Sequence, residues 1–499
     1  MEITLQTRAG TIIGLQKETH QEFLGVRYAK APVGALRFQP PERIDQWDDV
    51  YDATSYGPVA PQAHDDDNPF RLEKSEDCLH LNIFTPDKDG KKKPVMVFIH
   101  GGGFLIDTCS RPRTHGGNLA AFGDVVVVMM EYRMGAFGFL YTDNISPNLG
   151  LQDQVCALEW VQRNISDYGG DPENVTIFGQ SAGGTSVAYL MVMPSARGLF
   201  HKAIQQSGTT PLESQEENRK FAKNGTVKFF RQLKLQPGDL EGLQAIPMDK
   251  ILKAQKKAAG VMLLLNDRAF YPVVDGKIIP ENIHDVLKRK GQSNIPLMLG
   301  YNAEELPFLG GAVKNKIVEF VLKHLLLRAV RKLGISRQQV KSLLEIYRTE
   351  LPKQSVAEDR EINHLASDMN FLIPLTRTAE NFLTGGGKVY FYCLAYPAPG
   401  CNAALHVEDL FFVFGSVGTE DAPEYMRVPD NDQTQQLSEK MMEAWTNFAK
   451  NGDPNTDQLP DWPVFDPLKR PVMEFNIESQ VVNGKSDKIR AAWKDALNV

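Results

Sequence analysis

An apolar, β-branched run that passes through a small-residue turn directly into a helix leaves a chain few architectures. Val175-Thr176-Ile177-Phe178-Gly179-Gln180-Ser181-Ala182-Gly183-Gly184 is such a stretch. Val175 to Phe178 reads as a buried strand, Ala182 to Met193 as a packed helix ended by Pro194, and Ser181 as the residue on the turn. Further strands are predicted at Leu79 to Phe84, Pro94 to His100, Val125 to Glu131, Lys202 to Gln206, Ile295 to Gly300 and Lys388 to Ala395, with helical stretches between them. That alternation predicts an α/β protein with a central, mostly parallel, twisted sheet covered by helices on both faces. Ligands in such sheets gather beyond the carboxyl ends of the strands, so the residues after each strand carry the functional information.

A serine hydroxyl is a poor nucleophile at neutral pH unless it is lifted out of the fold, given a base and faced with donors for the oxyanion. The Gly-x-Ser-x-Gly turn from Gly179 to Gly183 meets the first demand, although an ordinary strand-helix turn has the same look. The strand Pro94 to His100 runs into Gly101-Gly102-Gly103-Phe104, where successive glycines can turn N–H groups toward one point; a plain glycine-rich turn is the alternative. His100 itself reads as loop-shaping. After Gly300 come Tyr301-Asn302-Ala303-Glu304-Glu305, two carboxylates just past a buried strand, one of which can orient an imidazole unless both belong to a solvated face. After Ala395 a Pro/Gly-rich loop leads to His406, at the head of an aromatic run. The chain order is then Ser, Glu, His.

With 499 residues, 42% of them hydrophobic, the chain can bury a large core, as one elaborated domain or two to three smaller ones. A net charge of −7 argues against a nucleic-acid partner, and Lys91-Lys92-Lys93 reads as a solvated turn. The longest apolar run, Val125 to Met130, is far too short to span a bilayer. Met1 to Gln6 enters a strand-like pattern without the features of a signal peptide, and five scattered cysteines lack a Cys-x-x-Cys, so a soluble cytoplasmic protein is expected. Ile3 to Gln16 is predicted to be a β-hairpin, Phe23 to Phe38 a scaffold meander, and Ala63 to Glu76, with Asp65-Asp66-Asp67, an exposed loop.

These residues resemble the type-B carboxylesterase family of the α/β-hydrolase fold, which includes cholinesterases and bacterial para-nitrobenzyl esterases. The resemblance rests on Tyr28 to Gly34, Glu76 to Asn82, His100 to Phe104, Tyr132 to Leu140, Gly169 to Pro172, Gly198 to Gly208 and Trp445 to Pro454. It implies that Ser181 is the nucleophile, His406 the general base and then acid, and Glu305 the carboxylate that fixes the imidazole, with Glu304 a rival one position away. It implies that Gly102, Gly103 and Ala182 offer N–H groups to the oxyanion and that Ser207 supports the acid. It also implies structural ion pairs of Arg37 with Glu76 and of Arg133 with Asp171. Gln180 stands where relatives usually have Glu, Glu131 where Asn is usual, and Ala60 where many have the partner of Cys78, which should therefore be a free thiol. No Trp lies between Ala60 and Cys78, where cholinesterases keep one, so choline esters are not the expected substrates.

The expectation is one elaborated domain over residues 1–499, with pocket-covering insertions at 209–290 and 306–385. Within the second, Ile317 to Leu333 is either a gorge wall or core packing. The expected function is hydrolysis of small-molecule carboxylic esters through an acyl-enzyme, without cofactor or metal, with a monomer as the favoured form. The alternatives are an amidase or lipase with the same residues, or an inactive binding module of the same fold.

Overall fold

The strand predicted at Val175 to Phe178 is the centre of one large sheet in the computed structural model of the chain. The structure describes residues 1–63, 73–86, 90–212, 214–259, 269–291, 294–306, 324, 327, 330–331, 333–351, 360–397, 403–484 and 486–497. The Asp65-Asp66-Asp67 run, Cys401 and most of 317–333 lie outside these.

The strands are β1 (Glu2–Thr7), β2 (Gly10–Gln16), β3 (His20–Arg27), β4 (Tyr51–Asp52), β5 (His80–Pro86), β6 (Lys93–Ile99) and β7 (Val126–Met130). They continue as β8 (Gly170–Gln180), β9 (Lys202–Gln206), β10 (Leu297–Asn302), β11 (Val389–Leu394), β12 (Pro471–Phe475) and β13 (Gln480–Asn483). Their order in the sheet is β1-β2-β3-β5-β7-β6-β8-β9-β10-β11-β12-β13, with β4 beside β2. From β7 to β12 every neighbouring pair is parallel, while both flanks are antiparallel apart from the short β4, which runs parallel to β2. All seven predicted strands and the opening hairpin are present. The meander expected at Phe23 to Phe38 begins instead as part of β3, whose register shifts between Phe23 and Val26. There Gly25 takes a φ of +67°, and its N–H bonds the Asn82 side chain at 2.9 Å.

Residues alternate between two apolar layers along the central strands, as a sheet covered on both faces requires. Val95, Val97, Ile99, Val175 and Ile177 pack into one cluster with Leu151, Leu158 and Val161 of the helix Leu149–Asn164. Met96, Phe98 and Phe178 join the other, with Leu437, Met441, Trp445 and Phe448 of the helix Asp432–Asn451. A third cluster joins Leu343, Tyr347 and Leu365 to Trp493 of the helix Asp487–Leu497. Between β6 and β8 the direction of sheet growth reverses, since β7 lies on one side of β6 and β8 on the other. The crevice at such a switch point is where two successive loops diverge and leave room for a ligand.

Arg37 pairs with Glu76 in a fork whose bonds are both 2.5 Å, as expected. Arg133 does not pair with Asp171. Its guanidinium bonds both oxygens of Asp153, at 2.8 and 2.6 Å, and its N–H reaches the same carboxylate at 3.1 Å. Asp153 sits on the helix behind the sheet with no exposed side-chain surface, whereas Asp171 opens β8 and bonds the N–H of Glu173 at its amino end. Removing one partner of a buried pair leaves an uncompensated charge. Asp153→Asn is therefore expected to lower unfolding stability by about 3–5 kcal/mol in denaturant titrations, with little change for Asp171→Asn.

Candidate active site

Ser181 follows β8 with φ 58° and ψ −120°, a strained conformation for a residue carrying a Cβ. The strain persists because the helix Ala182–Leu190 folds directly back on the sheet. A Cβ on Gly183 would lie 1.9 Å from the Ile99 carbonyl oxygen, and one on Gly179 would lie 2.6 Å from the Gly183 carbonyl carbon. Both positions therefore require glycine. Bonds from Ser181 N–H to the Gln206 carbonyl and from Thr185 N–H to the Ser181 carbonyl, each 2.9 Å, close the turn.

The loop after β6 meets this turn from across the switch point, since a Cβ on Gly101 would be 3.1 Å from that of Ser181. Gly102 and Gly103 have φ of +89° and +62°. The Gly102 carbonyl accepts the N–H groups of Leu105 and Ile106 at 3.1 Å, while the N–H groups of Gly102 and Gly103 find no partner among the described residues. Beneath the loop, His100 is buried against Tyr132 with ring centroids 4.4 Å apart, in the loop-shaping role expected of it. Glu131 accepts the Cys109 N–H at 2.9 Å and the Thr108 hydroxyl. Standing where Asn is usual, Glu131 thus ties residues 108 and 109 down under the loop.

The acid and the histidine come from the loops after β10 and β11. Backbone bonds join these loops, from Glu304 N–H to the Ala404 carbonyl at 2.9 Å and from His406 N–H to the Glu305 carbonyl at 3.2 Å. His406 Nδ1 donates to Glu305 Oε2 at 2.6 Å. Glu305 is 1% exposed, and its other oxygen accepts the Ser207 hydroxyl at 2.7 Å and the Asn302 N–H at 2.8 Å. Glu304 points elsewhere, 3.5 Å from the Asn363 amide. The alternation of neighbouring side chains thus gives Glu305 and not Glu304 the contact with His406. The Gln180 amide nitrogen lies 3.3 Å from His406 Nε2 and 3.5 Å from Nδ1. Ser181 Oγ makes no hydrogen bond among the described residues.

Two further contacts at the site carry no sequence signal. Phe371, in the π-helical turn Asp368–Leu372, packs its ring 4.9 Å from that of His406. Tyr271 meets Phe104 edge-on at 4.8 Å. Both come from the two segments expected to be insertions, and each is brought in by tertiary packing alone.

Glu408 is fully buried beside the histidine loop, and burial, helped by the charges of Asp409 and Glu305, pushes its carboxyl up to about 9. Burial likewise raises Asp409, although Gln206 and Tyr392 donate to it at 2.8 and 3.0 Å. Among the described residues, His20, Glu22 and His115 have the composition of a metal site. His115 Nδ1, however, accepts the Gly117 N–H at 3.2 Å, so its Nε2 carries a proton and donates to Glu22 at 3.1 Å. This hydrogen bonding satisfies the cluster without an ion. Cys78, Cys109, Cys156 and Cys393 are free and buried.

The switch-point crevice, the serine elbow and the acid–histidine pair are the arrangement of an α/β-hydrolase. A profile of the carboxylesterase family matches residues 2–493, and the chain belongs to that family. It is 34% identical to the para-nitrobenzyl esterase of Bacillus subtilis (strain 168), with 97% of each chain covered. It is 32% identical to carboxylesterase 1D of Rattus norvegicus, over 95% of this chain and 88% of that one. A solved PNB esterase superposes with a TM-score of 0.84 at 32% identity, covering 98% of this chain and 99% of the other. A Geobacillus stearothermophilus carboxylesterase gives 0.82 at 33% identity with the same coverage. The protein is accordingly a carboxylic ester hydrolase.

A carboxyl raised from 4.5 to about 9 keeps its proton in the native state and loses it in the unfolded chain. The stability it contributes is complete below pH 4.5 and is lost as pH rises through about 9. Glu408→Gln should therefore flatten the fall of stability across that window, by up to the order of 1 kcal/mol per pH unit, read from denaturation midpoints at several pH values.

Proposed function

We propose that Ser181, His406 and Glu305 carry out ester hydrolysis as nucleophile, base and orienting acid. The observation that bears most weight is the 2.6 Å bond from His406 Nδ1 to a fully buried Glu305. That bond fixes the tautomer and leaves Nε2 as the basic nitrogen. His406 takes the proton of Ser181 as Oγ attacks the ester carbonyl. The tetrahedral oxyanion is held by the N–H groups of Gly102, Gly103 and Ala182, and the alcohol leaves with the proton from His406. Water then repeats the sequence on the acyl-enzyme. Ser207 keeps Glu305 aimed at the imidazole by occupying its second oxygen. The Gln180 amide nitrogen, at similar distances from both ring nitrogens, lies over the imidazole and leaves the in-plane Nε2 lone pair to the serine hydroxyl.

Support for the two unpaired glycine N–H groups as oxyanion donors comes from their positive φ angles, which no bulkier residue adopts cheaply. No cofactor enters this chemistry. The buried free thiols support a reducing, cytoplasmic setting. Among the described residues no helix is long and apolar enough to cross a membrane. The reading extends to one catalytic unit over 1–499 acting as a monomer on small esters, with 209–290 and 306–385 forming the walls of the pocket through residues such as Tyr271 and Phe371.

Hydrolysis of para-nitrophenyl esters of increasing acyl length is expected to favour short and medium chains; a preference for long chains at an oil–water interface would make the protein a lipase. Ser181→Ala should abolish turnover and prevent labelling by a serine-directed organophosphate. Glu305→Gln is expected to lower kcat by about 10⁴-fold, with Glu304→Gln near wild type. If Glu304 proves the damaging position, the orienting acid is misassigned.

A further inference from the structure

The proposed oxyanion donors and the proposed base sit on loops after β6 and β11, strands separated in the sheet by β8, β9 and β10. Strand pairing therefore does not fix one loop directly against the other. Instead, a ring of four charges crosses between them. Asp107, the first residue beyond the tight Gly102–Ile106 turn, has a φ of +86° and is held by Gln62 through two 3.0 Å bonds, to its N–H and its carbonyl. Its carboxylate accepts Arg111 Nε at 2.7 Å and Arg113 Nη2 at 3.0 Å. The same two arginines reach Asp421, which lies beyond the helix Glu408–Val413 that follows His406. Arg111 Nη1 donates to Asp421 Oδ1 at 3.0 Å, Arg113 Nη1 to the Asp421 carbonyl at 3.0 Å, and the Arg113 N–H to Oδ2 at 3.3 Å.

The ring does not stand alone. The Ser416 hydroxyl donates to the Arg113 carbonyl at 2.7 Å and the Asn118 amide to the Gly415 carbonyl at 2.8 Å, so the segment after the histidine helix is stitched to 111–118 by five bonds. Asp421 has 2% of its side chain exposed and the arginines 11% and 19%, so water and salt screen the ring weakly. Burial alone would raise the Asp107 carboxyl, but Arg113 and Arg111 outweigh it and bring it down to about 2. Arg111 bridges the two carboxylates, while Arg113 bonds the Asp107 carboxylate and the Asp421 carbonyl through two nitrogens of one planar guanidinium, so direction is fixed as well as distance, which a packed apolar contact does not do.

We propose that Asp107, Arg111, Arg113 and Asp421 are positioning residues for ester hydrolysis: their ring holds the Gly102–Gly103 loop in register with His406. The proposal rests on the assignment of those residues to the oxyanion hole and base. A displacement of about 1 Å between reacting groups costs about 10²-fold in rate, so loosening the ring should act on turnover without touching substrate.

The test compares wild type, Asp421→Asn, which keeps the shape and drops the charge, and Arg111→Lys, which keeps the charge and drops the fork. It measures kcat and KM for para-nitrophenyl butyrate and the inhibition constant of a trifluoromethyl ketone, whose hemiketal on Ser181 places an oxyanion in the hole. In variants with wild-type near-ultraviolet circular dichroism, kcat is expected to fall about 10- to 100-fold with KM within about threefold. The ketone should weaken by the same factor as kcat/KM. If Asp421→Asn does not fold, Arg111→Lys carries the same comparison. A folded Arg111→Lys variant with kcat within twofold of wild type, or one that loses kcat while binding the ketone normally, overturns the proposal. Wild-type activity that survives Ser181→Ala would instead reject the underlying assignment of the site, and the ring with it.

Discussion

The contact on which the rest of the site depends is the close approach of the Ala182–Leu190 helix to the carboxyl ends of β6 and β8. Where a Cβ on Gly183 would meet the Ile99 oxygen at 1.9 Å, there is room only for backbone. That approach forces Ser181 into a positive φ and raises its side chain out of the sheet. It also presses the loop after β6 against the serine, which sets where any donor from Gly102 or Gly103 can point. The local strain is sustained by two apolar layers and by parallel strands on either side of β8, so its cost is spread over a large core.

Beside that elbow the structure concentrates acidic groups in a region with little water. Glu305, Glu408 and Asp409 are all buried within a few residues of His406 or in contact with it. They differ in what they receive: Glu305 gathers donors from Ser207, Asn302 and His406, whereas Glu408 has one backbone N–H from Leu405 and, among the described residues, no partner for its second oxygen. Burial with so few donors leaves Glu408 an acid that holds its proton. On the other side of the crevice, Asp107 has two guanidiniums and stays ionised. Similar side chains thus take different protonation states because the backbone around each supplies different partners.

Much of this was legible in the chain. Strands buried on both faces are continuous apolar runs, so β5 to β11 could be read directly, and the elbow and glycine loop announced themselves by residues that only a sharp turn requires. The short β12 and β13, near the end of the chain, have no such signature, and β3 was hidden because its bulge at Gly25 interrupts the strand pattern. Phe371 and Tyr271 were also invisible, since an aromatic residue in a helical segment looks the same whether it fills a core or walls a pocket.

The sequence by itself determined the elements, the order of serine, acid and histidine, and the backbone freedom each turn needs, because these depend on residues close together in the chain. Only the tertiary structure decided which of two adjacent glutamates meets His406, that Arg133 is neutralised by Asp153 and not Asp171, and that Asp107 and Asp421 share two arginines. Those are choices among chemically equivalent partners far apart in the chain. The physical reason is that a carboxylate pairs with whichever cation the packed elements bring within about 3 Å, and no local pattern encodes that distance.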